Sequence, residues 1–189
     1  MDIILASKSP RRKELLKLIF DEFIIKTANA DEKTEYTNPE KIVCDLARKK
    51  ALALGGENIN NSLVISADTL VFLDGKPLGK PANESDAKRM LRLLSGRTHE
   101  VLTGFCLRKN DKLFTDFDKT LVTFSEISDK EIDDYIKTKD PMDKAGSYGI
   151  QGPASKFIRK IDGCYFNVVG LPVNKLYYKI KELFPEYLD

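Results

Sequence analysis

Apolar positions along the chain alternate between short continuous runs and helically spaced ones. Ile3, Ile4 and Leu5 form a continuous run that predicts a buried strand. The polar turn Ala6-Ser7-Lys8-Ser9-Pro10-Arg11-Arg12 joins it to an amphipathic helix carrying Leu15, Leu16, Leu18 and Ile19. Ser9 suits the N-cap and Pro10 the first helical position, so the helix's free N–H groups are expected to open onto the turn. Residues 23–27 predict a second strand, and 28–38 a polar, acidic loop holding Asp31, Glu32 and Glu35. Asn38-Pro39 opens a long helix with Ile42, Val43, Leu46, Ala47, Leu52 and Leu54 at mostly helical spacing, and Gly55-Gly56 stops it.

Residues 62–73 are apolar and β-branched apart from the embedded Ala67-Asp68-Thr69, and Asp74-Gly75 follows as a hairpin turn. Asn83 caps a helix through Met90, Leu91 and Leu94 that stops at Gly96. Residues 98–107 and 113–124 predict a hairpin around Asn110-Asp111, and Ser128-x-x-Glu131 is a capping box opening a helix that Pro141 closes. The glycine-dense segment 144–171 carries the strand-like residues Tyr148, Ile150, Phe157, Ile158 and Ile161, and Pro172 begins a final amphipathic helix. Strand–helix alternation followed by a hairpin predicts an α/β protein, a mixed sheet with helices packed on its faces.

Composition narrows the chemistry. With 189 residues, 42% of them hydrophobic, the chain has ample material for a packed core, and no apolar run is long enough to span a membrane. A net charge of +2 from 31 basic and 29 acidic residues gives no general reason to expect nucleic-acid or membrane partners. Cys44, Cys106 and Cys164 lack metal-binding or disulfide-framework spacing, which fits a reducing cytoplasm. No signal-peptide pattern precedes the first strand.

Two acids stand in awkward places: Glu32 in the loop after the second strand and Asp68 inside an apolar strand. A carboxylate in such a strand persists when it binds a metal, pairs with a cation or accepts several hydrogen bonds. Glu32 and Asp68 would suffice for a hard divalent cation such as Mg²⁺ or Mn²⁺, which needs one or two carboxylates beside substrate phosphates. Arg11, Arg12, Lys50 and Lys80 are the cations that could face a polyphosphate, Arg offering paired donors where Lys is a point charge. Taken alone, Ser-Pro-Arg-Arg is equally the start of a capped helix with solvated arginines, and Glu32 an ordinary loop acid. There is no G-x-x-x-x-G-K-[ST] and no G-x-G-x-x-G. His99, the one histidine, reads as structural, and no serine has a neighbouring base for a Ser-His-Asp hydrolase.

Ser7-Lys8-Ser9-Pro10-Arg11-Arg12, Ala67-Asp68-Thr69, Gly79-Lys80-Pro81, Leu94-Ser95-Gly96-Arg97-Thr98-His99 and Lys144-Ala145-Gly146-Ser147-Tyr148-Gly149-Ile150-Gln151-Gly152 occur in one order, closed by Asn167-Val168-Val169-Gly170-Leu171-Pro172. Together they resemble the Maf family of nucleoside triphosphate pyrophosphatases. The resemblance implies an inosine-triphosphatase-like fold: one elongated domain over 1–189, of two lobes around a central cleft, usually homodimeric. It implies cleavage of a nucleoside triphosphate to monophosphate and pyrophosphate with a divalent metal. Position by position it makes Asp68 the general base and Glu32 an active-site position beside it. Ser7, Arg11, Lys50 and Lys80 become further active-site positions, and Arg12, Thr69 and Gln151 the substrate-selecting group. Arg-Arg, Asp-Thr and Ile-Gln-Gly are similar to the dTTP/UTP branch of the family rather than its 7-methyl-GTP branch. Pro153-Ala154-Ser155 departs from a segment that is often glycine-rich and apolar in the family.

A regulatory reading, in which the protein binds a nucleotide as a signal and acts on a protein partner in septum formation, has no use for an acid placed to activate water. A nucleic-acid-binding module would need a basic stripe with interleaved aromatics, which is absent from the sequence.

Overall fold

The computed structural model describes residues 2–55, 59 and 61–188, so Gly56, read above as part of a helix stop, lies outside the described residues. Elements run β1 (Ile3–Leu5), α1 (Pro10–Leu16), β2 (Ile24–Ile25), α2 (Pro39–Ala53), β3 (Leu63–Leu73), β4 (Lys76–Leu78), α3 (Glu84–Leu94), β5 (Thr98–Lys109), β6 (Lys112–Phe124), α4 (Asp129–Lys137), β7 (Ile158–Asp162), α5 (Tyr165–Val169) and α6 (Val173–Leu183). The strands form one seven-stranded sheet in the order β2-β1-β3-β5-β6-β7, with β4 paired to β3. It is mixed: β1 is parallel to β2 and β3, while β4 and β7 run antiparallel to their neighbours. No described helix is long and apolar enough to cross a membrane.

The chain divides into two compact units, the first made of Met1–Thr69, Thr103–Asp118 and Gly170–Asp189, the second of Leu70–Leu102 and Lys119–Val169. In the first, β1 is buried along its whole length, as a strand covered on both faces must be. Asn38 caps α2 by accepting the Lys41 N–H at 3.0 Å, and Pro39 occupies the first turn, where its missing N–H costs nothing. Ala47, Ala51 and Leu54 of the α2 segment pack with Ile4, Val64 and Cys106 of the sheet. The helix comes close to β5 at Gly104, where a Cβ would lie 2.3 Å from the Val43 carbonyl carbon and oxygen, so no larger residue fits there.

In the second unit α3 and α4 cover a core that includes Val71, Leu91, Leu94, Val101, Phe124, Ile132, Tyr135 and Phe157. Each fully buried side chain of this size contributes about 1.5–3 kcal/mol. Surface ion pairs such as Arg92–Asp129 add little beside that. The Ser128–Glu131 capping box is present with both of its bonds.

Three expectations need correction. α1 ends at Leu16, and Leu18 is 61% exposed, because Leu15 and Leu16 already fill the face that meets the core. β2 is only two residues long. Tyr148 and Ile150 are buried but not in a strand: two left-handed residues, Gly146 (φ 66°) and Ser147 (φ 62°), precede Tyr148, and Ile150 already lies in the turn closed by Gly152 N–H on Gly149 O. Among the described residues of that segment the strand is Ile158–Asp162, and the short helix α5 has no counterpart among the sequence expectations.

His99 is structural, as expected: Nε2 lies 2.7 Å from the Tyr148 hydroxyl and the ring meets Phe124 edge-on. Burial pushes its pKa down from 6.5 to about 4. The unfolded chain therefore takes up this proton first, so the neutral ring stabilises the fold fully above about pH 6.5 and this contribution is lost as pH falls towards 4. The full loss is about 3 kcal/mol. Urea midpoints of wild type and His99→Phe between pH 4 and 8 should diverge in slope below pH 6.5; parallel curves would clear His99 of this role.

Candidate active site

The first unit brings Ser7, Arg11, Arg12, Glu32, Lys50, Asp68 and Thr69 into its fold, through the segments that follow parallel strand β1 and through the middle of β3. Pairing of β1 ends where Ala6 N–H donates to Ile65 O at 2.7 Å, so Ser7 leaves the sheet while β3 continues. Side chains alternate along β3. Ser66 and Asp68 share one face, towards α2, where Ser66 Oγ donates to Ala47 O at 2.6 Å and Asp68 Oδ1 accepts from Lys50 Nζ. A step of two residues along the strand is thus matched to three along the helix, about 6.6 Å against about 4.5 Å. Thr69 belongs to the opposite face and meets Arg12.

Lys50 is where two acids converge. Its ammonium pairs with Asp68 Oδ1 and lies 3.4 Å from Glu32 Oε1. Asp68 is buried and Glu32 largely exposed. The loop carrying Glu32 is fastened beside this point, because Lys49 Nζ donates to Lys33 O and also pairs with buried Asp45 at 3.1 Å. Burial works to raise the Asp45 pKa, but hydrogen bonds from Lys49, Arg48 and Thr34 outweigh it and hold the group below its ordinary value. Oδ2 of Asp68 has no hydrogen-bond partner among the described residues, which leaves it able to accept from a water.

Arg12 reaches three segments at once. Nε donates to Gly170 O at 2.9 Å, one terminal nitrogen to Ser7 Oγ at 3.4 Å and the other to Thr69 Oγ1 at 3.0 Å. Thr69 Oγ1 in turn lies 2.9 Å from Thr103 Oγ1 in β5. Burial lowers the Arg12 pKa, which Asp68 partly offsets and Arg11 reinforces. A guanidinium that has lost its water in this way must be held by protein acceptors, and these three supply them.

The helix end contributes less than the sequence suggests. α1 has seven residues, and the Arg12 backbone N–H already donates to Ser9 Oγ at 3.4 Å while Ser9 N–H donates to Ser7 Oγ at 3.2 Å. Positive charge here comes from side chains rather than from a helix terminus.

Lys80 and Gln151 belong to the second unit, and both are exposed. Lys80 follows Gly79, whose carbonyl accepts Gly146 N–H at 3.0 Å. Gln151 stands in the turn closed by Gly152 N–H on Gly149 O at 3.2 Å. Thr103 escapes sequence reading altogether, since a lone threonine in an apolar strand carries no signal.

Two converging carboxylates balanced by one ammonium fit a divalent cation whose remaining ligands come from phosphate and water, since such ions rarely use all-protein cages. Among the described residues no group of three or more His, Cys, Asp or Glu side chains could form such a cage.

Residues 2–183 match the family model described as Maf-like protein. The chain is 52% identical over 181 residues to the dTTP/UTP pyrophosphatase of Clostridium perfringens, covering 94% of each chain. It is 50% identical, also over 181 residues, to a dTTP/UTP pyrophosphatase of Bacillus cereus, covering 95% of this chain and 94% of the relative. Among solved structures, a HAM1 protein from Coxiella burnetii aligns over 96% of this chain and 99% of its own, with a TM-score of 0.53 and 13% identity, which is a likeness of fold.

Proposed function

This chain belongs to the Maf-like protein family, and from that premise we propose that it hydrolyses dTTP and UTP to the nucleoside monophosphate and pyrophosphate. The observation that carries the reading is the meeting of Asp68 and Glu32 at Lys50, in a fold unit whose next residue after Asp68 is tied to Arg12. A cell-division regulator needs none of this acid–cation arrangement.

In the reaction, water attacks the α-phosphorus, the bond to the bridging oxygen of the β-phosphate breaks, and pyrophosphate leaves. Asp68 orients the water and takes its proton through Oδ2, while Lys50 balances the acid charge beside it. Arg11 acts on the triphosphate with paired donors, and the family resemblance gives Lys80 the role of a point charge. The family resemblance gives Arg12, Thr69 and Gln151 the role of selecting the base. A Mg²⁺ or Mn²⁺ ion held by Glu32 and Asp68 would neutralise charge on the triphosphate oxygens. We include in the proposal a homodimer, on the strength of the family resemblance, working in the reducing cytoplasm that the cysteine spacing fits.

Purified protein with Mg²⁺ should release orthophosphate from UTP and dTTP only after inorganic pyrophosphatase is added, and EDTA should stop it. Orthophosphate without the coupling enzyme would overturn the assigned cleavage. Full activity in EDTA would remove the metal from the scheme.

A further inference from the structure

Uracil and thymine differ from cytosine in presenting a carbonyl where cytosine has an amino group, so a site that prefers the keto bases must offer groups that cannot change between donor and acceptor. A threonine hydroxyl is poorly suited to this. It carries one proton and two lone pairs and turns freely about its C–O bond, so an unrestrained Thr69 would satisfy either base.

The structure removes that freedom. Arg12 is a donor only, so its 3.0 Å bond fixes one lone pair of Thr69 Oγ1 as an acceptor. Gly170 O, 3.5 Å away, is a poor outlet for the Thr69 proton, at the limit of hydrogen-bond distance and already taking the 2.9 Å bond from Arg12 Nε. The remaining partner is Thr103 Oγ1 at 2.9 Å; when Thr103 donates, both lone pairs of Thr69 are taken and its proton is left open, which a base carbonyl accepts and an amino group does not. Thr103 is fully buried whereas Thr69 is half-buried, so of these two hydroxyls Thr69's is the one a ligand can reach.

We propose that Thr103 is a specificity-determining positioning residue, which donates to Thr69 so that the Thr69 proton is left for a base carbonyl, and thereby sets the preference for keto over amino pyrimidine nucleotides. This rests on the reading of the protein as a pyrimidine nucleotide pyrophosphatase. Burial raises the stakes: a site built to hydrogen-bond a substrate group rejects the wrong partner far more strongly than an apolar pocket does, because polar atoms are left unpaired.

The test compares kcat and KM for UTP and CTP in wild type, Thr103→Val and Thr103→Ser, with Mg²⁺ and coupled phosphate release. Thr103→Val keeps the shape and loses the hydroxyl, and should narrow the UTP to CTP ratio of kcat/KM by about tenfold, mainly through KM. Thr103→Ser keeps the hydroxyl and should hold the ratio within about threefold of wild type. If Thr103→Val does not fold, Thr103→Ala gives the same reading. Equal losses for both nucleotides, with a lowered melting temperature and an unchanged ratio, would mean that Thr103 only supports the strand and would overturn the proposal. Wild type that hydrolyses neither nucleotide would overturn the parent reading and this inference with it; active wild type with an unchanged ratio in the variants overturns this inference alone.

Discussion

Asp68→Asn should lower kcat for UTP by about 10²-fold or more while KM stays within a few-fold of wild type and the melting temperature changes little. The substitution keeps the side chain's shape on the α2-facing side of β3 and exchanges a basic carboxylate, able to hold a cation, for a neutral amide. Lys50 keeps an acidic neighbour, because Glu32 Oε1 lies 3.4 Å from its ammonium, so no buried cation is stranded and the fold should survive. The split between kcat and KM separates two roles for Asp68. If it acts only by anchoring Lys50 for phosphate binding, KM rises and turnover at saturation is kept; if it takes the proton from water, kcat falls and KM does not. Turnover within a few-fold of wild type would exclude Asp68 as the base.

Much of this fold is legible in the sequence because its local signals agree with one another. Asn38-Pro39, Asn83 and Ser128-x-x-Glu131 each mark a helix start by supplying an acceptor to otherwise unpaired N–H groups, and each does so in the structure. What cannot be read there is governed by distant contacts or backbone strain. Tyr148 and Ile150 are apolar because they are buried, and left-handed residues before them and a turn at Ile150 leave no room for the strand that their composition suggests. Strand order depends on pairings between segments far apart in sequence, such as β1 with β3, for which one sequence carries no record.

The site shows the same division. Asp68 is conspicuous as an acid in an apolar strand, and its burial agrees with that. Its pairing with Lys50 is not visible in the sequence, because it requires α2 to lie on the Ser66 and Asp68 face of β3, and that packing in turn requires a glycine at 104 in another strand. Arg12 is legible as a cation and not as a strut, since nothing local reveals that Gly170, at the far end of the chain, supplies its acceptor.

Arg12→Lys should reduce kcat/KM for UTP by about 10²-fold although the charge is retained. One planar guanidinium bonds Ser7 after β1, Thr69 in β3 and Gly170 before α6, each through a different nitrogen. An ammonium places its donors on a single atom at the end of a flexible stem and cannot span them, so about two of the three bonds should be lost. Hydrogen bonds from charged groups contribute about 1.5–3 kcal/mol each, so about 3 kcal/mol or more is withdrawn. Part of that loss falls on stability, which for a chain of this length means a melting temperature lower by roughly 5–10 °C. The rest falls on catalysis, because Thr69 and Ser7 lose the group that orients them. A strut and a direct ligand contact then give different results: loss of the strut lowers stability and activity together, whereas loss of a contact made only with nucleotide raises KM and leaves the unliganded protein's melting temperature unchanged. Activity within about threefold of wild type, with an unchanged melting temperature, would show that position 12 needs a positive charge and not the guanidinium's geometry.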